Sequence, residues 1–146
     1  MNSAVSLTPG ATSNSYLVNK VTTLAGSGTS GSTGSTDPLA ATFNSPMDVV
    51  QDQFGYTYLV DRSSTYGTLR RIDPGGTVST IATFTSTAGM NSPVGLALDS
   101  ATGDLYVSTR DTSGTNNFAI LRIANSNAAF YRSEEHTSEL QSRQYL

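Results

Sequence analysis

At 146 residues, with a net charge of -3 and neither cysteine nor tryptophan, the chain is long enough for one domain with a real core but not for two. Only 13% of its residues are charged while Gly, Ser, Thr and Asn abound, a profile that favours short strands joined by many turns. The lack of cysteine excludes disulfides, thiolate catalysis and cysteine-ligated zinc, and Lys20, Arg62, Arg70, Arg71, Arg110 and Arg122 are too scattered to form the basic stripe that nucleic acid demands.

The opening stretch, MNSAVSLTPGATSNSYLV, has no basic start and no apolar run of seven residues before Pro9 and Gly10. It does not read as a signal peptide, and residues 1–15 are expected to be disordered or a strand remnant. No window approaches the roughly 18 apolar residues of a membrane span, so the chain reads as soluble, with no membrane partner. Ser/Thr/Gly-rich loops and scarce lysine lean toward an extracellular setting.

Tyr16 to Ala25 reads as the end of a strand unit, closing on VTTLA. The following GSGTSG, Gly26 to Gly31, satisfies the spacing of a dinucleotide-binding loop, and Asp48 and Asp52 lie about 20 residues on. That chemistry needs a helix opening at the glycines to aim its N-terminus at the phosphates. Gly31, Gly34 and Pro38 forbid one, so the stretch is expected to be a plain loop.

Four segments with two-residue alternation follow: Met47 to Gln51, Thr57 to Asp61, Thr68 to Ile72 and Val78 to Phe84. They are separated by the turn signals DQFG, SSTYG and DPGG, which predicts a four-stranded antiparallel meander. The pattern then repeats. FNSPMDVVQD from Phe43 matches MNSPVGLALD from Met90 at an offset of 47, GYTYLVD matches GDLYVST at 48, and LRRI matches ILRI at 51. VTTLAG also returns as VSTIAT, 57 residues later. Four strands about every 47 residues is the spacing of a propeller blade rather than of a sandwich.

These motifs together, from VTTLAGSG through FNSPxxVVxD and GxxYxVD to LRRIDPxGxVSTIA, resemble the NHL repeat, a blade of β-propellers that typically have six. The resemblance covers Tyr16 to about Ala124. It implies an all-β fold, an incomplete β-propeller of four-stranded antiparallel NHL-like blades spanning residues 16–131: about two blades and the end of a preceding one. On that count more than half the ring is missing and the chain is a fragment. One departure stands out, because the family pattern prefers Gly two positions after the Pro, as at Gly95, and this chain has Asp48 there.

After ILRIAN the pattern calls for a fourth strand, but the chain runs into RSEEHTSELQS from Arg132, which holds every glutamate and the only histidine, His136. This stretch resembles, residue for residue, the translated adapter of short-read sequencing libraries, and residues 132–146 are expected to be a non-native tail. Its bland reading is a solvated turn capped by Ser133, with Glu134 and Glu135 at the positive end. Up to Tyr131 the chain has 8 Asp against 6 Lys plus Arg, a net charge of -2.

Asp48, Asp52 and Asp99 are the candidate channel-lining or ligand-facing residues. Asp52 and Asp99 open the hairpin turns DQFG and DSATG, where a carboxylate accepts N–H bonds from its own turn. The sharper reading is a ring of carboxylates at a channel mouth that holds a hard cation such as Ca²⁺. Asp48, on the innermost strand, either projects toward the channel or is a solvated group paired with Arg62 or Arg70. Asp61 is expected to be a hairpin-end turn former. Tyr56, Tyr58, Tyr106 and Phe118 offer a stacking surface or, for most of them, packing between blades. With no Cys, and no His or Glu before Arg132, nothing activates the many hydroxyls.

No catalytic residue, metal or cofactor is expected. The function expected is a non-catalytic binding module for a protein, peptide or glycan ligand. The alternative is part of a metal-dependent propeller enzyme, of lactone hydrolase or lyase type, and a third reading is a structural repeat array.

Overall fold

A computed structural model of the chain describes residues 21–63, 66–85, 92–110 and 118–124. Over these residues the protein is all-β. Seven strands, β1 (Pro46–Gln51), β2 (Thr57–Arg62), β3 (Gly67–Ile72), β4 (Val78–Phe84), β5 (Ser92–Leu98), β6 (Leu105–Arg110) and β7 (Ala119–Ile123), form antiparallel sheets ordered β1-β2-β3-β4 and β5-β6-β7. The only helical turn among the described residues is a 3-10 turn at Pro38–Ala40, whose Leu39 N–H is accepted by the side chain of Asp37.

The turns form where the sequence supplies their chemistry. Gly55 and Gly103, 48 residues apart, have φ of 86° and 74°, a left-handed backbone that residues with a Cβ resist. They close the β1–β2 and β5–β6 connections, with Asp52 N bonded to Tyr56 O and Asp99 N to Asp104 O, both at 2.9 Å.

The repeat is structural as well as sequential. In the first sheet Val49 faces Leu59, Val50 faces Tyr58, and a bulge lies between Pro46 and Asp48. In the second, Leu96 faces Val107, Ala97 faces Tyr106, and the bulge falls between Pro93 and Gly95. The next strand pairs agree too: Leu59 with Arg70 and Tyr58 with Arg71 become Val107 with Leu121 and Tyr106 with Arg122. One set of pairings therefore serves both units.

Alternation gives each sheet two faces, and the sheets stack with β5 against β1 and β2. Between them lies the main core, built from Val60, Leu69 and Phe84 of the first sheet and Leu96, Leu105 and Val107 of the second. Residues 25–43 cross the other face of the first sheet as a strap, and Ala41 closes a smaller core there with Leu59, Ile72 and Val78. The stacked sheets are an incomplete β-propeller, two blade-like units set side by side with their first strands adjacent.

One expectation fails here. Val21 to Ala25 forms no strand, since no strand among the described residues lies beside it to pair with. The Gly-rich stretch after it is the loop foreseen, and its only ladder contact is the Ser35–Val78 bridge. Residues 1–20, the position of a fourth strand in the second unit, and the tail from Arg132 with Ser133, Glu134, Glu135 and His136 lie outside the described residues.

Candidate functional site

The side where β1 meets β5 carries the first candidate. Both are edge strands of their sheets, so each presents N–H groups that no ladder uses. Asp48 answers two of them: its Oδ1 accepts from Val49 N at 2.8 Å and its Oδ2 from Leu96 N at 2.8 Å. Val49 and Leu96 are equivalent positions in the two units, so a single carboxylate satisfies the same edge amide twice and ties one sheet to the next. The pairing with Arg62 or Arg70, one of the two alternatives for Asp48, is not made. Arg62 donates instead to Ser92 Oγ at 3.3 Å, and Arg70 turns to the opposite face.

A Cβ on Gly95 would stand 2.8 Å from Ser108 Oγ, so it is the neighbouring serine that leaves room only for glycine, while Asp48 Oδ2 at 3.7 Å would be an ordinary contact. Asp48→Ala is expected to cost about 1.5–3 kcal/mol, the range for a hydrogen bond to a charged group, toward the low end because the site is only half-buried. Denaturant unfolding measures it, and faster amide exchange at Leu96 localises it.

Asp52 and Asp99 sit on their turns. Asp52 is buried and its Oδ1 accepts from Phe54 N and Tyr56 N, each at 2.9 Å, while the Tyr58 hydroxyl lies 3.4 Å from Oδ2. Burial first, and Asp52 second, push the Tyr58 phenol up. Asp99 Oδ1 accepts from Ala101 N at 2.9 Å. That bond, helped by Thr102, holds the Asp99 carboxyl below its ordinary range. Among the described residues no three carboxylate, histidine or cysteine side chains gather as a metal centre requires.

Asp61 is not the turn former expected. It is buried on the strap side of β2, and its carboxylate accepts from Asn44 N at 3.0 Å and Ser45 N at 2.7 Å. Arg70 lies on the same face of β3, with Nη1 3.9 Å from Asp61 Oδ2 and none of its side chain exposed. The guanidinium also donates to Thr42 O at 3.2 Å and Thr33 O at 3.1 Å, and stands over the Phe43 ring. Burial draws its pKa down from the usual arginine range, against the pull of Asp61. No family model matches the chain, and no curated protein matches it significantly.

The aromatic residues divide. Tyr58 packs against the main core, and Tyr56 lies under Arg71, 5.3 Å from guanidinium carbon to ring centroid. In the second unit the same two positions hold Asp104 and Arg122, joined at 2.6 Å, so a cation–π contact has been exchanged for an ion pair. Phe118 is exposed. Two clefts flank the strap: an apolar one of about 280 Å³ against Val49, Leu59 and Ile72, and a more polar one of about 450 Å³ beside Gly26 to Ser30 and Asn44.

The signal for the Asp61–Arg70 pair was present in the sequence. Two arginines, Arg70 and Arg71, stand between Leu69 and Ile72 in a strand otherwise built for burial and ask for partners, and antiparallel register puts Asp61 diagonally beside Arg70. Asp104 carried no such signal, because its partner depends on the β6–β7 register.

Proposed function

We propose that the chain is part of an NHL-type β-propeller and works as a non-catalytic interaction module, with its loops presented to a protein, peptide or glycan. One observation carries this reading. Two units share one strand register, bulge included, while Asp48, Asp52 and Asp99 use their carboxylates on backbone N–H groups. Such groups build a scaffold, and a scaffold of repeated blades serves recognition through its loops.

Thermal unfolding with and without millimolar calcium tests the reading against a metal-dependent enzyme. A calcium site filled at a hundredfold excess over its Kd would add about 2.7 kcal/mol to stability, a rise of several degrees in midpoint. No rise is expected, together with no calcium-dependent turnover of a chromogenic lactone, and selection from peptide and glycan libraries should return ligands. Calcium-dependent hydrolysis would overturn the proposal.

A further inference from the structure

The glycine-rich stretch GSGTSG, Gly26 to Gly31, forms one wall of the more polar cleft beside the strap. That cleft holds about 450 Å³, with Thr23, Gly28, Thr29, Ser30, Phe43 and Asn44 among its walls, a volume within the range of about 300–1,000 Å³ of small-molecule sites. Its walls are braced. Gly26 N donates to Pro38 O at 2.9 Å, Ser27 N to Ala41 O at 2.8 Å and Gly31 N to Phe43 O at 3.2 Å, which pins both ends of the glycine stretch to the segment carrying Phe43 and Asn44. Behind that segment the buried Asp61 carboxylate accepts from Asn44 N at 3.0 Å, and the buried Arg70 guanidinium stands 5.1 Å from the centroid of the Phe43 ring.

We infer that this cleft is a binding site for a neutral carbohydrate, a short piece of glycan seated against Phe43 and Asn44. Every residue in its walls is uncharged, so a charged ligand would lose its water there with no opposite charge to meet it. The walls offer hydrogen bonds instead. Asn44 spends one amide hydrogen on Gly31 O at 3.2 Å and one oxygen lone pair on the Ser30 hydroxyl at 2.7 Å, which leaves its side chain one donor and one acceptor. The exposed side chains of Thr23 and Thr29 add two hydroxyls, each both donor and acceptor. A sugar calls for this mixture: its hydroxyls meet an amide and hydroxyls, while its C–H face lies on an aromatic ring.

A peptide fits these walls less well. Extended peptides add to a free sheet edge, helices lie in apolar grooves and acidic motifs seek arginine clusters, whereas this cleft is walled by loop backbone and uncharged side chains. Gly28 keeps it open: its φ is 80°, and a Cβ there would meet nothing within 4 Å. The inference rests on the reading of the chain as an interaction module, for which it names one ligand class and its place.

Titration of the isotope-labelled full chain with cellotetraose, maltotetraose and chitotetraose, and with tetragalacturonate as the charged control, tests it through amide chemical shifts. A saturable shift centred on Gly28, Thr29, Ser30, Phe43 and Asn44 is expected for at least one neutral sugar, and none for the charged one. Thr29→Val should weaken that binding by about three- to tenfold, the loss of one hydrogen bond. Gly28→Asn should weaken it at least as much, by placing a side chain at the opening in a residue type that tolerates the left-handed backbone. Circular dichroism and cooperative unfolding check that both variants fold. The absence of a saturable shift at these residues with all three neutral sugars would overturn the inference, as would tighter binding of tetragalacturonate there or variants that bind like the wild type. Library peptides that bind elsewhere while the sugars fail overturn this site alone, whereas calcium-dependent lactone hydrolysis overturns the module reading with it.

Discussion

Asp61→Ala is expected to remove about 3–5 kcal/mol of stability, the cost of leaving a buried charge without its partner. The carboxylate does two things at once: it accepts the N–H groups of Asn44 and Ser45, and it lies beside the guanidinium of Arg70 at 3.9 Å. Its removal leaves two amides unpaired and a cation with only carbonyl oxygens and a ring for company, while Arg70 Nε already has no hydrogen-bond partner. Denaturant unfolding should show a lower midpoint with an unchanged slope. Asp61→Asn, which keeps an acceptor but not the charge, should fall between. Adding Arg70→Met to Asp61→Ala should return much of the loss, since a buried ion pair often costs as much as it contributes.

The second large effect belongs to Leu69. Leu69→Ala, at a position with no exposure and in the middle of the main core, is expected to cost about 2–5 kcal/mol through lost burial and the cavity left behind. Ile120→Ala changes the equivalent residue of the second unit, yet it should stay within about 0.5 kcal/mol. The contrast comes from the neighbour, not from the side chain: Leu69 has a sheet stacked over it, and Ile120 is open at 71%. Parallel unfolding curves of the two variants decide it.

Much of the fold was legible because strand alternation and turn residues are local signals. Met47 to Gln51, Thr57 to Asp61 and Thr68 to Ile72 each lie within one residue of β1, β2 and β3, and Val78 to Phe84 coincides with β4. The offsets read from the sequence return as strand registers, since side chains that must face one core cannot slip by a residue without turning outward. Val21 to Ala25 was misread because its alternation is that of a strand, while the described residues place no strand beside it to pair with. Asp48 was flagged by its departure from glycine, but its bond to Leu96 N crosses from one sheet to another, and no pattern within a unit reports such a bond. Asp61 looked like a turn residue because it ends its segment. Its true environment is set by the strap, whose path over β3 depends on Arg70.

The strap makes the two units unequal, and that inequality sets an order of assembly. The first meander has a core of its own beneath residues 25–43 and the Asp61–Arg70 pair to hold it. The second has Thr109 and Leu121 at those positions, and among the described residues its buried hydrophobic side chains belong to the cluster shared with its neighbour. In a repeat array, stability is the sum of what each unit holds alone and what it gains from the unit beside it. The first meander is thus expected to form as the template on which the second condenses, and β5, β6 and β7 are expected to open as one cooperative piece before it, which native-state amide exchange would show as lower protection across those three strands.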